Sequence, residues 1–335
     1  MSEKITMLHG SGGRASSELI GSIFAKEFDN DVLNAMEDAA VVDGCKRIAM
    51  TTDSFVVTPL EFKGGDLGRL SVCGTVNDLL MRGAEPKYMT CGFILEVGAD
   101  VELLKRLVHS MAACAAEAGV ILVAGDTKVI EGTGGIYVNT TGVGFVDEGI
   151  DIAAANSKPD DLILVSGTMG DHHAAILSER MSIKNDIESD NAPLVEMVSK
   201  LKKIRTKDGE CAVHTLRDVT RGGLGTVLSE LAASSGCDFL IEEDKIPVSS
   251  AVRDFAGLLG LDPLYMGNEG KLVATVTRAE APEALAAVRS SRYGENAAII
   301  GEVQKPGNGG LVLRTGLGGL RRLGPLEGEG LPRIC

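Results

Sequence analysis

Apolar residues recur every three to four positions from 100 to 118, at Leu103, Leu104, Leu107, Val108, Met111 and Ala115. That spacing predicts an amphipathic helix, with Asp100 as its N-cap and Gly119 as its stop. Residues 66–82 predict a second helix between Asp66 and Gly83. Its small residues Ser71, Cys73, Gly74 and Thr75 imply close approach to another backbone, either across a subunit interface or inside the fold. Shorter apolar runs at 47–51, 90–97, 120–124, 136–145, 162–166, 272–276, 297–303 and 311–314 predict strands. The run at 120–124 leads into Gly125-Asp126-Thr127-Lys128, which reads as a polar loop. Further helices are expected at 194–204, 224–234 and, started by Pro282, 283–290.

Helices and strands interleaved in this order predict an α/β (α+β) chain of two domains, 1–150 and 151–314. The acidic stretch 147–161 reads as their junction. After Thr315 the chain is rich in Gly, Leu and Arg without periodicity, so 315–335 is expected to be a flexible tail ending in Cys335.

Composition narrows the classes. The 335 residues carry a formal charge of −14, which disfavours nucleic acid and anionic membranes as partners. No run of about 18 apolar residues predicts a membrane span, and the N-terminus lacks the apolar core of a signal peptide. Seven cysteines without a C-x-x-C pair argue against a disulfide framework and a four-cysteine zinc site, and so for a reducing cytoplasm.

Candidate chemistry concentrates where apolar runs give way to loops, at Asp38, Asp53, Asp78, Asp126 and Asp218. Carboxylates there suit Mg2+ held jointly with phosphate, although each alone also suits a turn or a cap. The loop His9 to Arg14, with Gly12, offers backbone N–H groups to an anion, although it reads equally well as a frayed N-terminal linker. P-loop, dinucleotide, nucleophile-elbow and H-E-x-x-H motifs are absent from the sequence. His109 receives no role, and His172-His173 read as loop or helix-start residues. Cys335 is an unusual place for a structural thiol, because a chain terminus is seldom buried.

The stretches HGSGG (9–13), EDAAV (37–41), TTDSFVV (51–57), GDLGRLSVCGTVNDL (65–79), VAGDTKV (123–129), SGTMGDH (166–172), RDVTRGGL (217–224), NEGKL (268–272) and PRIC (332–335) resemble the HypE family of hydrogenase maturation factors. That family lies within the superfamily of aminoimidazole ribonucleotide synthetase (PurM) and selenophosphate synthetase. Glu37 stands where the family usually has Asp, which leaves Asp38 the better ligand.

The resemblance implies a two-domain PurM-like synthetase fold that dimerises through the sheet of its N-terminal domain. It implies ATP and Mg2+, with Asp38, Asp53, Asp78 and Asp218 on metal, and Gly12, Asp38, Thr52, Asp53, Asp78, Asp126 and Asn139 around the nucleotide. It implies that the carbamoyltransferase HypF loads Cys335 with a carboxamide. ATP-dependent dehydration to a thiocyanate would follow, with Lys128 and Glu269 as catalytic groups, and the cyano group would pass to iron on a HypC–HypD complex. A synthetase of the selenophosphate type is the alternative, but its reactive Cys lies in the N-terminal loop, which here has none. A dimeric scaffold whose tail only docks a partner would leave the Asp, Lys128 and Glu269 stretches unexplained.

Overall fold

The computed structural model describes residues 4–10, 14–34, 40 and 42–326. Asp38, Gly12 and Cys335, and with them Glu37, lie outside the described residues.

In the first domain, helices α1 (Arg14–Leu19) and α2 (Asp31–Asn34) precede strand β1 (Ile48–Phe55). A small hairpin, β2 (Glu61–Phe62) and β3 (Gly65–Asp66), leads into α3 (Leu67–Met81), β4 (Ala84–Glu96), α4 (Val101–Ala118), β5 (Ile121–Ile130) and β6 (Ile136–Val146). The main sheet runs β1-β6-β4-β5. Only β4 and β5 pair in parallel, because α4 carries the chain between them.

Both predicted helices form with the expected caps. Asp66 accepts the Arg69 N–H at 2.9 Å and Asp100 the Leu103 N–H at 3.0 Å, while Gly119 ends α4 at φ 70°. Helix α3 is buried on almost every side. A Cβ on Gly68 would sit 1.9 Å from the Leu107 carbonyl oxygen of α4, and one on Gly74 would sit 2.8 Å from the Phe55 ring. Its small residues therefore serve an internal contact with α4 and β1.

The second domain contains β7 (Leu162–Val165), α5 (Asp171–Met181), α6 (Val195–Leu201), β8 (Val213–Asp218), α7 (Gly223–Ser235), β9 (Cys237–Glu242), α8 (Ser250–Leu259), β10 (Leu272–Val276), α9 (Ala281–Arg289), β11 (Ala298–Pro306), β12 (Leu311–Arg314) and β13 (Leu320–Leu323). Its sheet runs β13-β12-β9-β11-β7-β10-β8. One apolar cluster joins Leu70, Leu104 and Met111 of the first domain to Leu194, Met197 and Leu272 of the second. The acidic junction contributes to the packing, since Ile150 and Ile152 are buried in it.

Two expectations need correction, and four elements had no sequence signal. Asp126 and Lys128 are not on a loop. Strand β5 continues through them to Ile130, because parallel pairing places Asp126 opposite Gly92 and Lys128 opposite Ile94. The tail does not begin at 315. Residues 315–319 form a turn closed by Thr315 N–H on the Gly319 carbonyl (2.8 Å), and β13 returns along β12 with Leu311 opposite Leu323. Glycine there makes a turn, not a disordered run. Finally, periodicity did not reveal α5, α8, β8 or β9. His172 and His173 open α5 and are buried, His172 bonded to Ser189 at 2.7 Å and set edge-on to the Phe62 ring. Burial drives the His173 imidazole down to about 4, so it stays neutral. Among the described residues, no helix is long and apolar enough to cross a membrane.

Candidate functional site

Strand β1 is an edge of its sheet, and its alternation sorts side chains to two faces. Thr51, Asp53 and Phe55 point toward α3, whereas Ile48, Met50, Thr52 and Ser54 point to the uncovered face. A cleft of about 660 Å3 lies between the two domains along this edge. Asp53 from β1, Asp78 from α3, Asp218 from the end of β8 and Glu269 from the turn before β10 all line it.

Each of these carboxyls is held above its ordinary pKa, first by burial. Asp53 is partly relieved by the Ser54 N–H at 2.8 Å and by the charge of Arg221. Asp78 accepts the Thr51 hydroxyl at 2.7 Å but feels Asp53. Asp218 is pushed up to about 6 by burial and then by Asp78. Glu269 is driven well up by burial and by Asp218, Asp190 and Asp53. Like charges in a desolvated cleft raise one another, and a cation would relieve them.

Among the described residues, no three His, Cys, Asp or Glu side chains converge tightly enough to hold an ion by themselves. Mg2+ needs only one or two carboxylates when phosphate oxygens complete its shell. The hard-oxygen donor set of the cleft therefore fits a magnesium shared with a phosphate chain. Arg217 and Arg221 also line the cleft and suit phosphate. Sequence reasoning missed both, although RDVTRGG carries them beside Asp218.

Of the other expected residues, only Thr52 among those described reaches this cleft. Asn139, opposite Ser54 on β6, donates from Nδ2 to the Asp53 carbonyl (2.8 Å) and to Ser54 Oγ (2.9 Å). Thr52 bonds the Thr140 carbonyl at 3.0 Å and reaches the rim of the cleft. Asp126 and Lys128 form an exposed ion pair at 2.7 Å on β5, and that bond holds the Asp126 carboxyl below its usual value. Two strands separate β5 from β1, so Lys128 sits about 14 Å away across the sheet at the usual strand spacing. The described chain thus brings Asp53, Asp78, Asp218 and Glu269 together and leaves Lys128 apart from them.

This architecture defines a class. Residues 36–146 match the N-terminal domain of the AIR synthase related proteins, and residues 158–314 match their C-terminal domain. Within that class the chain is 48% identical over its whole length to the carbamoyl dehydratase HypE of Cupriavidus necator, covering 95% of that protein. It superposes on a HypE crystal structure in complex with ATP with a TM-score of 0.93 at 45% identity, covering 98% of this chain and 99% of that one. A HypE–HypF complex also matches, with a TM-score of 0.80 at 45% identity, over 92% and 99% of the two chains. The chain belongs to the HypE family of hydrogenase maturation enzymes.

Proposed function

We propose that this chain uses ATP to dehydrate an S-carboxamide on its own Cys335 to a thiocyanate, the source of the cyanide ligand for the iron of [NiFe]-hydrogenase. The observation that carries this reading is how Gly324 and Leu326 are held on the second domain. The Leu326 N–H bonds Thr226 Oγ1 at 3.0 Å, and the Tyr265 hydroxyl bonds the Gly324 carbonyl at 3.0 Å. Thr226 neighbours Val227, which lines the carboxylate cleft. The chain is thus anchored on the second domain only nine residues before Cys335. Nine residues span at most about 30 Å when fully extended, enough to enter the cleft or to reach outward to a partner.

In this reading the carboxamide oxygen attacks the γ-phosphorus of ATP and the bond to ADP breaks, so that oxygen later departs as phosphate. Glu269 accepts a proton from the carboxamide nitrogen as the carbon–nitrogen triple bond forms; the second proton passes to solvent or phosphate. A carboxylate whose pKa is raised by burial is a stronger base once ionised. Asp53, Asp78 and Asp218, with Asp38, would hold Mg2+, which neutralises phosphate charge when bound. Arg217 and Arg221 would orient the phosphates, while Thr52, Asn139 and Gly12 would bind the rest of the nucleotide.

The uncovered face of the first sheet exposes Ile48, Met50, Ile94, Ile121 and Ile130. A homodimer formed there would bury this patch and carry Lys128 of the partner subunit toward the β1 edge, where its charge would stabilise the developing oxyanion. HypF would load the thiol and a HypC–HypD complex would receive the cyano group. The six described cysteines are all free, in keeping with a cytoplasmic setting.

Mass spectrometry of the C-terminal peptide tests the reading. A carbamoyl adduct on Cys335 should lose one water when ATP and Mg2+ are added, and Cys335→Ala should carry no adduct. Retention of the carboxamide with both present overturns the dehydration.

A further inference from the structure

Glu269 lies outside the strand that follows it, so no ladder satisfies its peptide group. It is nevertheless buried, 4% exposed, and a buried N–H and C=O each need a partner. The partners come from elsewhere in the chain. The irregular strap 182–194 between α5 and α6 passes directly over the turn that carries Glu269: a Cβ on Gly270 would sit 1.8 Å from the Asp190 carbonyl oxygen. From this strap Asp190 Oδ1 accepts the Glu269 N–H at 3.0 Å. Asp190 Oδ2 lies 3.2 Å from Lys271 Nζ, and the two side chains are 4% and 9% exposed.

On the other side stands Asn77 of α3, the immediate neighbour of Asp78. Its Nδ2 donates to the Ala192 carbonyl at 3.0 Å and, less closely, to the Glu269 carbonyl at 3.4 Å, which the strap's Ala192 N–H also reaches at 3.4 Å. Its Oδ1 accepts the Leu194 N–H at 3.0 Å. The strap is tied to the first domain again by the Ser189 N–H on the Lys63 carbonyl (2.8 Å) and by Arg69 Nε on the Asn191 carbonyl (3.0 Å).

We infer that Asp190 and Asn77 are positioning residues that fix Glu269 against Asp78, acting through the strap 182–194. The inference rests on the proposed role of Glu269. One amide side chain joins the helix that bears Asp78 to the turn that bears Glu269, and the Asp190–Lys271 pair holds that turn from its other side. A buried ion pair is a poor source of stability but can specify a geometry. Neither residue lines the cleft, so neither touches the reacting atoms directly.

The test uses the full-length chain carbamoylated on Cys335, with single-turnover loss of water as the readout. Asp190→Ala should slow this step by on the order of 10^2-fold, the cost of a misplaced catalytic group, while ATP affinity stays within about threefold. Asp190→Asn, which keeps an oxygen for the Glu269 N–H, should recover most of the rate. Asn77→Ser removes the other anchor without burying a charge and should behave like Asp190→Ala. In a Glu269→Gln background, Asp190→Ala should cost no more than about twofold, because both lesions act through one group. Equal slowing by Asp190→Ala in both backgrounds, or no slowing with Glu269 present, overturns the inference. An undiminished rate for Glu269→Gln alone overturns the base assignment itself, an outcome distinct from additive losses.

Discussion

The two faces of the β1-β6-β4-β5 sheet hold carboxylates in opposite states. On the helix-covered side, Asp53 and Asp78 are half-buried near Asp218 and Glu269, and their pKa values are raised. On the uncovered side, Asp126 is bonded to Lys128, and its value is lowered. The residue type is the same. Desolvation and like charge act on one face, and a solvated ion pair acts on the other. The first arrangement costs stability and suits a cation with phosphate. The second costs little and leaves a lysine available to whatever covers the face.

The largest expected effect comes from the covered side. Glu269→Gln should slow single-turnover dehydration by roughly 10^2–10^4-fold, the usual contribution of a general base, with nucleotide binding retained in calorimetry. An unchanged rate would break the functional half of the comparison.

The next effect concerns the open side. Met50→Asp places a charge in the exposed apolar patch and should leave a folded monomer by sedimentation, with dehydration lost. A variant that remains dimeric shows that the uncovered face is not the interface. Purified heterodimers of Lys128→Met and Glu269→Gln chains sharpen this further. If Lys128 serves the partner's cleft, one of two sites is intact and about half the activity returns. No recovery would place both residues in one subunit's site.

A smaller effect follows from Asp218. Its folded value near 6 exceeds its unfolded value of 3.8, so the native state binds more protons between these limits. Its contribution to stability is therefore lost as pH rises through 6. Asp218→Asn should stabilise the metal-free chain by on the order of 3 kcal/mol at pH 8 and by little near pH 4. Denaturant titration at the two pH values checks the sign, and the same variant should lose Mg2+-dependent ATP binding. For the parent chain, that binding should weaken as pH falls below about 6, because metal binding requires the ionised carboxylate.

The smallest effect belongs to the exposed pair. Lys128→Ala should change stability by no more than about 0.5 kcal/mol, so any loss of dehydration by that variant reports function and not folding.

Much of the frame was legible in the chain. Asp100 and Gly119 bracket α4, Asp66 opens α3, and the apolar run of 272–276 becomes a strand with every residue buried. Asp53, Asp78, Asp218 and Glu269 were all picked out, and they meet in one cleft. Less legible were elements that depend on what lies beside them. Strand β5 runs on through Asp126 and Lys128 because β4 offers a parallel partner. Strand β13 exists because β12 offers an edge, although Gly and Arg dominate its surroundings. Asn77 gave no signal apart from sitting next to Asp78, since its partners are 115 to 192 residues away.

By itself, then, the sequence determined what is local: the helical period, the caps, the glycine turns, and a set of acidic motifs whose residue types suit magnesium and phosphate. Only the tertiary structure decided which of those acids share a cleft, which one sits in a surface ion pair, where the chain is anchored before Cys335, and how Glu269 is held. Capping and periodicity act within a few residues, whereas desolvation, charge coupling and the pairing of buried peptide groups act through space between segments distant in the chain.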